Sequence, residues 1–127
     1  MKSLIIEGTK NTPEINFDVK TGKFSIIGNS IPEDVLSFYT PIFRWLEDYI
    51  ANPCPITELS IKLSYFNSAS SKTLLDILNM LEAVNDTSAK VFVKWHYHDL
   101  DEDMLQTGKE FESMLSIPFE FIAYYQD

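Results

Sequence analysis

The sequence predicts an α/β domain in which a single layer of mixed β-sheet packs against about three helices. Six short segments are predicted as strands, and in several of them apolar residues alternate with polar ones, which is typical of half-buried strands. In three longer segments they recur at intervals of three and four, which is typical of amphipathic helices. Three strands come first, and strands and helices then alternate to the end of the chain. This order favours helices packed on a mixed sheet.

The first part of the chain is predicted to open the domain with a β-hairpin. Residues 4–7 form a short first strand. Residues 15–19 and 24–27 then alternate as two half-buried strands, joined by a turn in which Gly22 can adopt positive φ. Gly28–Ser30 is expected to break the third strand.

A helix is predicted to follow, with Pro32–Asp34 at its start, where proline and acidic residues are favoured. Pro41 interrupts the helical pattern, so we expect a kink, or a short first turn followed by a longer helix to about Ala51. Trp45 is expected to cover an edge of the core, the alternative being a contact with a partner protein. The apolar stripe comprises Val35, Phe38, Tyr39, Ile42, Leu46, Tyr49 and Ile50.

A polar junction joins the next strand, residues 57–65, to the second helix, which is expected to end near Asn85. The strand is predicted to direct Leu59, Ile61, Leu63 and Tyr65 to one side. Asn67 is a favourable N-cap, because its side chain can accept a hydrogen bond from an early helical N–H. Ser68, Ala69 and Ser70 would then occupy the first turn, beside N–H groups that lack intrahelical partners. Helix capping alone also explains such a polar cluster.

The last third of the chain is predicted to contain two strands and one helix. Residues 91–96 alternate as a strand, and residues 119–124 form the last strand. Asp99–Asp103 supplies an N-cap and first-turn acidic residues for the helix between them. Gly108 lowers the helix propensity of this segment. The apolar positions expected on one helix face are Met104, Leu105, Phe111, Met114 and Leu115.

Composition limits the possible functions. The 127 residues predict a single domain, residues 1–127. The formal net charge of −9 argues against binding to nucleic acid or to an anionic membrane surface. No apolar run is long enough for a transmembrane helix or a signal peptide. Cys54 is a lone cysteine, so no internal disulfide is possible, and we expect a structural role for it and a cytoplasmic location.

The sequence gives no positive indication of catalysis or of a cofactor. It lacks the GxxxxGK[ST] phosphate loop, the GxGxxG fingerprint and the GxSxG nucleophile elbow. His96 and His98 point to one side of a strand and are a minor candidate for a metal site, but no third ligand has convincing spacing. We therefore predict that the protein is not an enzyme.

Several short motifs carry a resemblance to a known family. The most specific motif is Tyr65–Ser68 leading into Ser71-Lys72 and Leu75–Ile77. The others are Ile6–Thr9 with Thr12-Pro13, the glycines Gly22 and Gly28, Trp95–Tyr97, and Ser116–Phe119. With these motifs the chain resembles, nearly from end to end, the SiaC family of bacterial regulatory phosphoproteins. The resemblance implies a fold like that of STAS domains and anti-sigma-factor antagonists.

The resemblance also implies a switch. Members of this family carry a phosphoacceptor hydroxyl directly after the asparagine at the strand–helix junction, which is Ser68 here, where the best-known member has threonine. Ser70 and Ser71 are the fallback acceptors. In similar systems a dedicated protein kinase adds the phosphate and a PP2C-like phosphatase removes it. The unphosphorylated form activates a diguanylate cyclase, which links the family to c-di-GMP regulation and biofilm formation.

The surface expected to bind partners is the junction and the exposed side of the following helix. It comprises Asn67, Ser68, Lys72, Asp76 and Asn79. Lys72 lies one turn after Ser68 and can approach a phosphate there, or it can be an ordinary solvated lysine. The alternative function is a constitutive STAS-like interaction module, or a binder of a small ligand, without phosphorylation. A metal-dependent enzyme using His96 and His98 is the least favoured hypothesis.

Overall fold

The computed structural model of the chain describes residues 1–125. The six strands are β1 (Leu4–Ile6), β2 (Glu14–Asp18), β3 (Lys23–Ser30), β4 (Ile56–Phe66), β5 (Lys90–His98) and β6 (Phe119–Tyr124). The three helices are α1 (Val35–Ala51), α2 (Ser68–Asn85) and α3 (Glu102–Met114). The predicted order of elements is thus confirmed.

The strands form one mixed sheet in the order β1-β2-β3-β4-β5-β6, the same order as in the sequence. β1 and β2 pair antiparallel, as do β2 and β3, so the chain opens with the expected hairpin pairing. β3, β4, β5 and β6 run parallel to one another. Each parallel step needs a crossover, and each of the three helices provides one.

The helices cover one face of the sheet. Phe24 pairs across the sheet with Leu59, and its ring lies 4.8 Å from that of Tyr49 in α1. On the same face, Ile61 pairs with Trp95, whose indole N–H donates to the carbonyl of Met104 in α3. The side chains that alternate with these are exposed or half-buried. The sheet therefore has one core face and one open face.

Trp45 covers an edge of this core, as predicted. Its ring stacks on that of Tyr49 at 5.3 Å and meets the edge of Phe24 at 5.4 Å. Its indole N–H donates to the carbonyl of Lys2 at 2.8 Å. Trp45 thereby ties the N-terminal segment to helix α1.

Helix α1 differs from the prediction at its start. The helix begins at Val35, and Asp34 is the N-cap, with its carboxylate accepting from the Ser37 N–H. Pro32 and Glu33 therefore precede the helix, and no acidic residue lies in its first turn. Pro41 lies inside one continuous helix, so the expected short first turn followed by a separate helix is wrong. Buried Tyr39, Ile42, Leu46 and Tyr49 pack into the core on both sides of Pro41 and offset its cost.

A register shift explains two further differences. Strand β3 continues through Gly28 to Ser30 instead of breaking. Its pairing moves from Gly28 with Leu63 to Asn29 with Tyr65, which leaves Ser64 as an extra residue in β4. Because one extra residue exchanges the two faces of a strand, Tyr65 is 57% exposed rather than buried. Phe66 turns to the core instead, against Trp95.

Helix α3 packs on Trp95 through Gly108. A Cβ atom placed on Gly108 would lie 2.6 Å from the indole nitrogen of Trp95. This position therefore has to be glycine for the helix to approach the sheet so closely. Met104 and Phe111 are buried as expected, whereas Met114 is 54% exposed, so its predicted place on the buried face is wrong.

We predict that Gly108→Ala destabilises the protein by about 1–3 kcal/mol, because the added methyl group overpacks against a fully buried ring. On helix propensity alone, the same change would stabilise the helix by about 1 kcal/mol. Urea unfolding measures the difference, and Gln106→Ala, an exposed site in the same helix, is the control. An increase in stability of Gly108→Ala would contradict the close contact with Trp95.

Candidate functional site

The junction between β4 and α2 has the predicted geometry. The strand ends at Phe66, the helix begins at Ser68, and Asn67 between them is the N-cap in an extended conformation. The Asn67 side-chain oxygen accepts a hydrogen bond of 2.9 Å from the Ser70 N–H. The Asn67 backbone N–H donates to the carbonyl of Ser30 at the end of β3. The first turn of α2 is thus fixed to the adjacent strand.

Ser68 is the first residue of helix α2, and it is exposed. The N–H groups of Ser68 and Ala69 precede that of Ser70, the one bonded to the cap, and they lie at the positive end of the helix. An anion carried on the Ser68 oxygen would be favoured by these N–H groups and by the helix dipole. The structure therefore places an accessible hydroxyl at a position suited to a negative charge.

Behind this turn lies a buried network of three hydroxyl groups. The Ser30 hydroxyl donates to Ser70 Oγ at 2.9 Å and lies 2.6 Å from the hydroxyl of Tyr39. Since the Ser30 proton is used toward Ser70, Tyr39 is the donor to Ser30. Burial raises the pKa of the Tyr39 phenol further above its ordinary value, so the phenol is protonated at neutral pH and can donate. The network connects β3, α1 and the start of α2.

Burial and hydrogen bonding distinguish the three candidate phosphoacceptors, Ser68, Ser70 and Ser71. Ser70 has no exposed surface, and its oxygen accepts from Ser30. Ser71 is half-buried, and its backbone N–H donates to the Asn67 carbonyl. Of the three serines, Ser68 is the most exposed.

The proposed partner surface forms one side of helix α2. Ser68, Lys72, Asp76 and Asn79 follow one another at intervals of four, four and three residues, which places them on one helix face. The Lys72 ammonium group lies 3.3 Å from the Asp76 carboxylate, with 81% of the Lys72 side chain exposed. This exposed pair holds Lys72 only weakly, so the lysine can turn toward Ser68.

Sequence reasoning missed Ser30 and Tyr39, which support the site from behind. Ser30 stands forty residues before Ser70, and Tyr39 lies within the apolar stripe of α1. Each of these residues places a hydroxyl on an otherwise apolar surface. A buried hydroxyl requires a hydrogen-bond partner, so this pattern could have indicated a buried polar network.

The two histidines lie near the end of β5 on the open face. Burial, and then the charges of Lys62 and Lys94, lower the pKa of His96, so its ring is neutral at pH 7. His98 Nδ1 accepts from the Leu100 N–H at 3.1 Å. Among residues 1–125, no group of three or more His, Cys, Asp or Glu side chains is arranged to hold a metal ion.

Two other predictions concern Cys54 and the membrane. The Cys54 thiol is half-buried and donates to the carbonyl of Val19 at 3.1 Å, which supports a structural role. Within the described residues, none of the helices has both the length and the apolar character needed to span a bilayer.

Fold and site together define a small α/β domain that presents a serine hydroxyl at the exposed start of a helix. The sequence pattern of the SiaC family of regulatory phosphoproteins matches residues 6–124. The chain belongs to this family, which confirms the resemblance carried by its motifs.

Proteins of Pseudomonas aeruginosa provide the comparisons. An uncharacterized protein of strain UCBPP-PA14 is 33% identical over 124 residues, which cover 98% of both chains. The crystal structure of apo-SiaC has a TM-score of 0.88 at 32% identity and covers 97% of this chain and all of that one. The crystal structure of the diguanylate cyclase SiaD in complex with its activator SiaC gives a TM-score of 0.89 at 33% identity. That match covers 95% of this chain and 99% of the other. The fold is thus that of SiaC.

Proposed function

We propose that this chain is a non-catalytic switch protein that binds and activates a diguanylate cyclase while Ser68 is unphosphorylated. A protein kinase phosphorylates Ser68, and a PP2C-like phosphatase restores the hydroxyl. Membership of a family of regulatory phosphoproteins supports this function, as does the complex of a relative with the cyclase that it activates. The observation that carries the proposal is the exposed hydroxyl of Ser68 at the start of α2.

The position of Ser68 suits a reversible modification. A phosphate adds about −1.5 to −2 charges and three acceptor oxygens at pH 7. The N–H groups of Ser68 and Ala69 and the helix dipole stabilise that charge, which then lies beside the Asn67 cap instead of replacing it. Lys72 exchanges its exposed partner Asp76 for the phosphate. The fold therefore accommodates both states.

Binding of a partner distinguishes the two states. A partner that covers the Ser68 face of α2 in the unphosphorylated form must remove water from this surface. After phosphorylation it would also have to desolvate a dianion, and each buried ion costs several kcal/mol when its compensation is incomplete. Phosphorylation therefore changes which partner binds while leaving the fold in place.

The alternative function is a constitutive interaction module, in which the polar junction only caps helix α2. The bond from the Ser70 N–H to Asn67 shows that capping does take place. Capping alone gives the exposed hydroxyl of Ser68 no role, so we favour the switch.

Incubation with the cognate kinase and ATP, followed by intact-mass measurement, tests the switch. We expect a gain of one phosphate in the wild type and no gain in Ser68→Ala, because Ser68 is the accessible acceptor. Ser71→Ala is the matched control and is expected to gain one phosphate like the wild type. A phosphate on Ser68→Ala, or no gain in the wild type, would contradict the proposal.

A further inference from the structure

The outer side of β6 offers unpaired backbone groups. β6 is the last strand of the sheet and pairs only with β5 among the described residues. The Val93 N–H donates to the Pro118 carbonyl and the Asp99 N–H to the Tyr124 carbonyl, so the even-numbered residues face β5. Backbone groups alternate in direction along a strand. The N–H and C=O groups of Phe119, Phe121 and Ala123 therefore face outward.

This edge carries few of the features that usually prevent edge strands from pairing. Exposed edges are commonly protected by short length, charged residues, proline or bulges. β1, the opposite edge, is only three residues long. β6 has six residues in the sequence FEFIAY, and Glu120 is its one charged residue. The edge at β6 is therefore a template for a further strand.

We propose that β6 pairs antiparallel with β6 of a second copy of this chain. A two-fold axis at Phe121 places Phe121 opposite Phe121 and Phe119 opposite Ala123. Residues that face each other in this way exchange both backbone hydrogen bonds. All six outward groups are then used, and Glu120 lies opposite Ile122 rather than another carboxylate. Such a self-complementary pairing is what a two-fold interface requires.

The charges around β6 are compatible with a second copy at this edge. The chain carries a formal charge of −9, so two copies repel each other over most approaches. Lysines cluster around β6: Lys109 lies over the Phe121 ring at 4.2 Å and Lys62 over the Tyr124 ring at 4.7 Å. Lys94 is the cross-strand neighbour of Glu120 and also pairs with Glu58 at 3.2 Å. These lysines offset the carboxylates beside β6, so the negative charge of the chain opposes pairing at this edge less than the net charge alone suggests.

The pairing leaves the Ser68 site open. β6 is separated from β4, which leads into Ser68, by the whole of β5. The association is thus independent of phosphorylation and does not rest on the proposed function. A single strand pair buries little surface, so the dimer is weak and depends on protein concentration.

Sedimentation velocity over a range of protein concentrations tests the pairing. We expect the mean mass of the wild type to rise from 14.6 kDa toward twice that value. Ala123→Pro removes an outward N–H without touching the bonds to β5, and we expect it to need at least about tenfold more protein to associate. Ala123→Ser keeps the N–H and is expected to behave like the wild type. A monomeric wild type, or unaltered association of Ala123→Pro, would overturn the proposal.

Amide hydrogen exchange gives an independent readout in the wild type, which covers the case that Ala123→Pro fails to fold. The N–H groups of Phe119, Phe121 and Ala123 are expected to exchange more slowly as the concentration rises. The N–H groups of Glu120 and Ile122, which face β5, are expected to show a smaller change. Equal rates for the outward groups at low and high concentration would also overturn the pairing.

Discussion

Trp95→Ala is expected to lower the free energy of unfolding by about 3–5 kcal/mol, the range for truncation of a large buried aromatic side chain. Trp95 has no exposed surface and contacts the rings of Phe66, Phe111 and Phe119. Its indole N–H also satisfies the carbonyl of Met104. The truncation leaves a cavity and an unsatisfied acceptor where α3 meets the sheet.

Phe92→Ala is the matched control, because Phe92 lies on the same strand but is half-buried. We expect it to cost less than half as much as Trp95→Ala. Urea unfolding monitored by circular dichroism measures both values. Similar losses for the two variants would contradict the assignment of Trp95 to the core face and Phe92 to the open face.

Phosphorylation of Ser68 is expected to weaken binding to the activated cyclase at least about a hundredfold. Each factor of ten corresponds to 1.4 kcal/mol, so this loss requires about 2.8 kcal/mol. An incompletely compensated dianion in an interface supplies that much. The loss arises at the interface and not from unfolding, because Ser68 is exposed and Asn67 still caps the helix.

The thermal stability of the phosphoprotein distinguishes a loss of binding at the interface from a loss caused by unfolding. We expect its unfolding midpoint to stay within a few degrees of the wild-type value, since a negative charge at a helix start stabilises by about 0.3–1 kcal/mol. Calorimetry of the two forms measures the shift. A large loss of stability on phosphorylation would mean that the switch acts by unfolding.

Much of the fold was predictable because its signals are local. The alternation in residues 57–65 predicted β4, and the polar cluster after it predicted the start of α2 with Asn67 as its cap. The place of Ser68 in the first turn follows from the same cap, since the cap fixes which residues form that turn. These features depend on neighbours within a few residues.

The parts that were not predictable depend on residues far apart in the chain. The extra residue at Ser64 reverses the facing of Tyr65, and only the pairing of β4 with β3 reveals it. The network of Ser30, Tyr39 and Ser70 joins three elements, so no local pattern contains it. Helix propensity predicts only that Gly108 weakens α3, whereas the contact with Trp95 explains why this residue is glycine.

We expect a single phosphate on Ser68 to control binding to a diguanylate cyclase. Titration of the cyclase with unphosphorylated and Ser68-phosphorylated protein, followed by isothermal calorimetry, tests this directly. We predict a complex with the unphosphorylated protein and at least about a hundredfold weaker binding of the phosphorylated protein. Equal affinity of the two forms would contradict it, because the exposed hydroxyl at the start of α2 would then have no effect on binding.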